Sequence, residues 1–200
     1  MLRKFQSRGR AYRVAGFAAL LAAGLSSAAL AQVNTATLDN ATTQSGRLNR
    51  LLPGGTCAAP EANPGTFTNS GARAYDSYSF VNSTGSTQCY TIRLDQTAAL
   101  LFVVAYLGSF DPSNIQANYL GDPGQSTPSE TFSVNVPAGQ TLVVVVHEVN
   151  SGNGVGQSYT LTVAAPPASV PTLSEWAMIL MGLTLAGGAA LYIQRRHMAA

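Results

Sequence analysis

From Ala177 to Ile193 the chain runs for 17 residues without a charge. At 1.5 Å per helical residue that run just covers a bilayer hydrocarbon core of roughly 30 Å. A helix buried in a soluble domain would carry a polar stripe, and this run has none. Gly182, Gly187 and Gly188 would each weaken a soluble helix by up to about 1 kcal/mol, whereas glycine is ordinary in membrane spans. The run therefore predicts a transmembrane helix over about residues 176–193. Trp176 and Tyr192 fall at headgroup level, and Arg195-Arg196 form a stop that stays cytoplasmic. Whatever precedes the span lies on the other side of the membrane.

The opposite end carries the matching export signal. Arg3, Lys4, Arg8, Arg10 and Arg13 form a positive region, Val14 to Leu25 is apolar, and Ala29-Leu30-Ala31 precedes Gln32. This is a secretory signal peptide over residues 1–31, handled by the secretion machinery and cut by signal peptidase after Ala31, not a first membrane helix. Between the two targeting segments only Arg47, Arg50, Arg73 and Arg93 are basic, against eight carboxylates, and lysine is absent. The exported part is mildly acidic, which excludes nucleic acid as a partner.

Residues 32–46, rich in Thr, Asn, Ala and Gln, read as a flexible leader or an edge strand. The domain proper is expected over 47–165. From Thr66 onward short β patterns alternate with turns: Tyr75–Val81, Cys89–Leu94, Leu100–Leu107, Thr131–Val136, Leu142–Val149 and Ser158–Val163. With no amphipathic helix between them, they predict an all-β, antiparallel, jelly-roll-like sandwich. Pro166-Pro167-Ala168-Ser169 forms a stiff linker to residues 170–200. Cys57 and Cys89, an isolated pair in an exported chain, are expected to form a disulfide.

Chemistry is sparse. His147 is the only exported histidine. Strand alternation sets it on the face opposite Glu148, as a solvated or hydrogen-bonded strand-end residue. Ser158 in Gly156-Gln157-Ser158-Tyr159-Thr160 lacks the second glycine of a nucleophile elbow. The loop from Phe110 to Asp122 is the candidate binding loop, with Asp111, Asn114, Asn118, Tyr119 and Asp122. Its hard oxygen donors suit calcium, with Asp111 and Asp122 as the ligands, but match no EF-hand; Asp and Asn side chains that shape a wide loop explain the composition more simply. No cofactor is expected.

Two resemblances add to this. Val170-Pro171-Thr172-Leu173-Ser174-Glu175-Trp176, followed by a span and Arg195-Arg196, resembles the IPTL-type C-terminal sorting signal of Gram-negative bacteria, with Val170 in place of isoleucine. Pro171 cannot continue a helix and biases Val170 toward extended backbone. The resemblance implies processing near the motif by exosortase, a membrane-embedded transpeptidase. Tyr75–Phe80 and the stretch from Thr131 to Val163 resemble the bacterial pre-peptidase C-terminal domain, a small jelly roll. Together they imply an inner-membrane precursor facing the periplasm. It is then delivered to the envelope, surface or medium as a non-catalytic module for extracellular polysaccharide or surface proteins. The alternative is a small secreted hydrolase or exoenzyme accessory, which needs two carboxylates, such as Asp111 and Asp122, roughly 5 to 10 Å apart in a cleft.

Overall fold

The computed structural model describes residues 31–67, 71–165 and 173–198. Ala29, the 166–169 linker and Val170, Pro171 and Thr172 lie outside the described residues. Two antiparallel sheets face each other. One has the order β1 (Gln32–Thr37), β9 (Ser158–Ala164), β4 (Gln88–Gln96), β7 (Ser129–Val136). The other has the order β2 (Thr43–Ser45), β3 (Ala72–Val81), β8 (Thr141–Glu148), β5 (Leu101–Leu107), β6 (Tyr119–Gly121). With the short β2 set aside, the chain passes from sheet to sheet along β1, β3, β4 and β5, and again along β6, β7, β8 and β9. That is the path of a jelly roll, as expected.

Side-chain period explains why the two sheets differ. In β4, Tyr90, Ile92 and Leu94 are buried while Thr91 and Arg93 are exposed; in β7, Phe132, Val134 and Val136 are buried and Thr131 is exposed. The four-stranded sheet therefore keeps one wet face. β5 and β8 show no such alternation, being buried from Leu101 to Tyr106 and from Leu142 to Glu148. Leu101, Val103 and Ala105 join Leu142, Val144 and Val146 in the core between the sheets. Phe102, Val104, Tyr106, Val143 and Val145 point the other way and form a second core with Leu48, Ile115 and Val149. A strand buried on both faces needs a third layer. Here that layer is irregular chain, drawn from around Leu48 and Ile115.

The stretch 32–46, read as a flexible leader or an edge strand, holds an edge strand of each sheet. β1 pairs with β9 along its whole length and β2 with β3. Its threonines suit a strand with one face in water: Thr35 and Thr37 hydroxyls meet those of Thr160 and Ser158 at 3.4 and 2.8 Å, and Leu38 is fully buried just beyond.

Pro53-Gly54-Gly55 brings the covering segment against residues 122–124. A Cβ at Gly54 would lie 2.5 Å from the Pro123 carbonyl oxygen, and one at Gly124 (φ +73°) 2.5 Å from that of Leu51, so only glycine fits either place. The Cys57–Cys89 disulfide, with a Cα separation of 5.9 Å, ties this segment to β4. Asn135 Nδ2 donates to the Cys57 carbonyl at 2.8 Å beside it.

The helix α1 spans Leu173–Met198. It outlasts the expected 176–193 because Arg195, Arg196 and His197 fall in its last turn, where cations favour the helix dipole. Its apolar stretch, Trp176–Met198, is long enough to cross a membrane and is uncovered by the sandwich.

Candidate functional site

The expected binding loop spreads its donors instead of converging them. Asp111 is exposed and accepts hydrogen bonds from Ser113 N and Oγ at 2.9 and 2.6 Å, which hold its carboxyl below the usual carboxylate range. Asn114 N bonds the Asp111 carbonyl at 3.1 Å. Asn118 takes a left-handed conformation (φ 60°) and donates Nδ2 to Ser109 O and Oγ, both at 3.1 Å. Asp122 is fully buried and accepts from the Tyr119 hydroxyl at 2.9 Å and Gly124 N at 2.6 Å. Asp111 and Asp122 share no partner, so the two are not a paired-carboxylate site. Among the described residues no three His, Cys, Asp or Glu side chains gather as a metal would require. Each Asp and Asn bond shapes the loop.

The carboxyls that do neighbour Asp122 are two that the spacing of the sequence did not point to, Glu61 and Glu130. Burial raises all three. Glu61, also repelled by Asp122, is pushed up to about 7; Glu130, only 4% exposed, is pushed up to about 9. Glu61 Oε2 and Glu130 Oε1 are buried without a hydrogen-bond partner. Tyr119, its phenol raised by burial and by Asp122, stays a neutral donor. Glu61 comes from the covering segment and is partly exposed, while Asp122 and Glu130 are buried behind it. The signal for Glu130 was present in the sequence: it shares strand parity with Phe132, Val134 and Val136, all inward-facing.

His147 is not a solvated strand end. It is 1% exposed, because the Val-rich strand it ends is covered on both faces. Its Nδ1 faces the Glu148 carbonyl oxygen at 2.9 Å, its ring meets Phe102 edge-on at 5.7 Å, and Nε2 has no partner. Burial, with Arg73 and Arg47 nearby, lowers it to about 4, so it is neutral at pH 7. The Glu148 side chain, on the opposite face as expected, accepts from Ala74 N at 2.9 Å and Gly154 N at 3.0 Å. Burial alone would raise that carboxyl, but these backbone donors and Arg73 hold it below its usual range. Arg73 Nε bonds the Val149 carbonyl at 3.0 Å, and Phe67 lies 3.9 Å over the Arg47 guanidinium. Ser158 Oγ meets Thr37 Oγ1, not a base. These groups close one end of the fold and offer no nucleophile.

Two clefts beside the expected loop are open to water, one lined by Ser113, Asn114 and Gln116 and the other by Thr43, Ser45 and Ser113. So is the outer face of the four-stranded sheet. Across the strands, Thr35, Thr160, Asp95 and Ser129 form one row, and Val33, Thr162, Arg93 and Thr131 the next. Arg93 Nε and the Asp95 carboxylate pair at 2.8 Å in the middle. A groove of about 350 Å³ along this face is lined by Thr35, Asp95, Thr97, Ser158 and Thr160. It holds one carboxylate, already paired.

The tail is exposed as well: an uncovered apolar helix ends in Arg195 and Arg196. Residues 168–197 match the IPTL-CTERM motif. The IPTL-CTERM match takes in Val170 to Trp176, the span and both arginines, and it stops short of the sandwich. With the bare helix, it fits an exported precursor held in a membrane. No curated protein matches the chain. Among solved structures the chain is similar to a family 35 carbohydrate-binding module from an environmental isolate, at 14% identity over 68% of this chain and 99% of that one, with a TM-score of 0.28. It is also similar to the CBM35 of Cellvibrio japonicus Abf62, at 16% identity over 66% and 98%, with a TM-score of 0.23.

Proposed function

We propose that the chain is an exported, non-catalytic module that an exosortase-type transpeptidase delivers to the cell envelope or extracellular matrix. The observation that carries this reading is the IPTL-CTERM match, which joins motif, span and arginine stop on a helix that the sandwich leaves bare. The signal peptide is cut after Ala31, and the precursor sits in the inner membrane with its sandwich in the periplasm. Cleavage near Val170 to Trp176 then releases or transfers a domain similar to pre-peptidase C-terminal modules. The hydroxyl rows of the four-stranded sheet are its binding face for extracellular polysaccharide or a surface protein. Support comes from how few reactive groups reach water: of the carboxyls raised by burial, Asp122 and Glu130 are buried and only Glu61 is partly exposed, and the sheet groove has a single carboxylate bonded to Arg93. A hydrolase reading would draw on Glu61 and Asp122 and lose all turnover in Glu61→Gln.

Mass spectrometry of envelope and secreted fractions tests delivery. The expected chain begins at Gln32 and ends near residue 170 in cells with the transpeptidase, and runs through Ala200 in cells without it. A chain intact to Ala200 in both overturns the reading.

A further inference from the structure

The four sheet edges are not treated alike. β2 and β6 are each three residues long, and short edge strands resist pairing with other chains. Ser45 N at the end of β2 is bonded to the Pro112 carbonyl at 2.8 Å, and the Asp122 carbonyl just past β6 accepts from Gly55 N at 2.9 Å. β7 is covered by the disulfide-bonded segment: Ser133 N bonds the Gly55 carbonyl at 3.0 Å, and Asn135 Nδ2 the Cys57 carbonyl. β1 differs on each count. It is six residues long, pairs with β9 in unbroken register, and receives no backbone bond on its far side from any described residue.

β1 also lacks every device by which edge strands discourage addition. Gln32-Val33-Asn34-Thr35-Ala36-Thr37 has no charge, no proline and no bulge, and Val33 is 61% exposed. Its neighbour β9, Ser158 to Ala164, is uncharged too. Asp39 lies two residues past the strand, opposite Ala31 and not its own twin in the pairing below, and on the wet face the nearest charges are Arg93 and Asp95 on the third strand in, bonded to each other. Although the exported part is acidic overall, two copies meeting along β1 bring no like charges together.

We propose that the bare β1 edge pairs antiparallel with β1 of a second copy of this chain. For the wet faces of both sheets to stay on one side, the two-fold axis must run through a residue, because strand side chains alternate. With the axis at Thr35, Thr35 faces its twin, Val33 faces Thr37, and Asn34 faces Ala36. The outcome is an eight-stranded sheet in which the row of Thr35, Thr160, Asp95 and Ser129 continues without a break into its copy. This doubles the proposed polymer-binding face, and it rests on that reading only for taking Gln32 as the first residue after signal-peptide removal, so that no chain precedes the edge.

Cysteine cross-linking tests the seam directly, because residues opposite one another in an antiparallel pair have Cβ atoms about 5 Å apart. In the detergent-solubilised full chain, Thr35→Cys should oxidise to a disulfide-linked dimer as its main species. Thr131→Cys, on the same wet face but on β7, should remain monomeric. Light scattering should give the wild type twice the mass of Thr35→Lys, which sets two ammonium groups face to face at the seam. Equal cross-linking at positions 35 and 131, or a monomeric wild type, overturns the proposal. The N-terminal residue of the exported chain, read in the same preparation, fails separately: a start other than Gln32 removes the cleavage assignment and leaves the cross-linking result standing.

Discussion

The two sheets of this sandwich meet water differently. The four-stranded sheet keeps the usual bargain, apolar side chains inward and Thr, Ser, Arg and Asp outward. The five-stranded sheet buries both faces of its central strands and relies on irregular chain for a third layer. That irregular chain carries Cys57 of the disulfide, glycines that permit close backbone contact and Glu61. The five-stranded sheet therefore depends on chain whose sequence pattern is weak, while the outer face of the four-stranded sheet stays open to water.

The sharpest way to break this contrast is to remove one side chain from each outer face. Phe102, fully buried under the cover, should cost about 3–5 kcal/mol as Phe102→Ala, since its cavity lies inside a packed layer. Thr131→Ala on the wet face should stay within about 0.5 kcal/mol. Urea denaturation of both variants decides it, and equal losses would mean that the cover is not a core.

The disulfide comes next. Cys57 and Cys89 close a loop with a sequence separation of 32, so Cys57→Ser with Cys89→Ser should lower stability by about 3–4 kcal/mol in the chain-entropy account. Hydrogen exchange sharpens the comparison. The double variant should lose protection first at Gly55 and Ser133, whose bond joins cover to β7, and last in β8.

Protonation gives a smaller, signed effect from groups on both sheets and in the cover: Glu130 on β7, His147 on β8 and Glu61 in the covering segment. Glu61 and Glu130 are raised in the fold to about 7 and about 9, so the stability they contribute is whole below their unfolded values near 4.5 and fades as pH climbs through those folded values. His147 is lowered to about 4. The unfolded chain takes up that proton below about pH 6.5 and the fold does not, so the stability His147 contributes falls as the solution is acidified from there toward pH 4. Between those limits two carboxyls lose stability with rising pH and one histidine gains it, so the profile should peak near pH 4 to 5 and decline above it. Glu61→Gln should flatten the decline between pH 5 and 8, and His147→Gln should steepen it between pH 4 and 6.5; an unchanged profile in both would disconnect the cover from the pH response.

Much of this could be read from the chain. The uncharged run after Trp176 and the unalternating stretches Leu101–Leu107 and Leu142–Glu148 carry their burial in their periodicity. What escaped was held by contacts that pattern does not encode. The Thr and Asn of β1 suit a leader and an edge strand alike until β9 supplies their partners, and nothing in a Pro-, Gly- and Asn-rich segment marks Glu61 as the residue that meets Asp122. His147 was placed on the right face, but its burial depends on a cover without period. The paired carboxylates sought at Asp111 and Asp122 fail for the same reason: one faces a serine turn and the other is buried behind Tyr119.

The smallest effect is expected from the only charges on the wet face. Arg93 and Asp95 form two hydrogen bonds at 2.8 Å, a good geometry, yet both side chains are largely solvated at 54% and 39% exposure. An exposed pair gains little because water screens the attraction and two long side chains lose freedom in making it. Arg93→Ala should therefore leave the melting temperature unchanged within error, at low salt and at high salt alike. If the same variant weakens retention on envelope polysaccharide, the pair serves recognition on this face and not folding. A clear loss of melting temperature would instead show that the open sheet, like the covered one, depends on its outward side chains, and the contrast between the sheets would be one of appearance only.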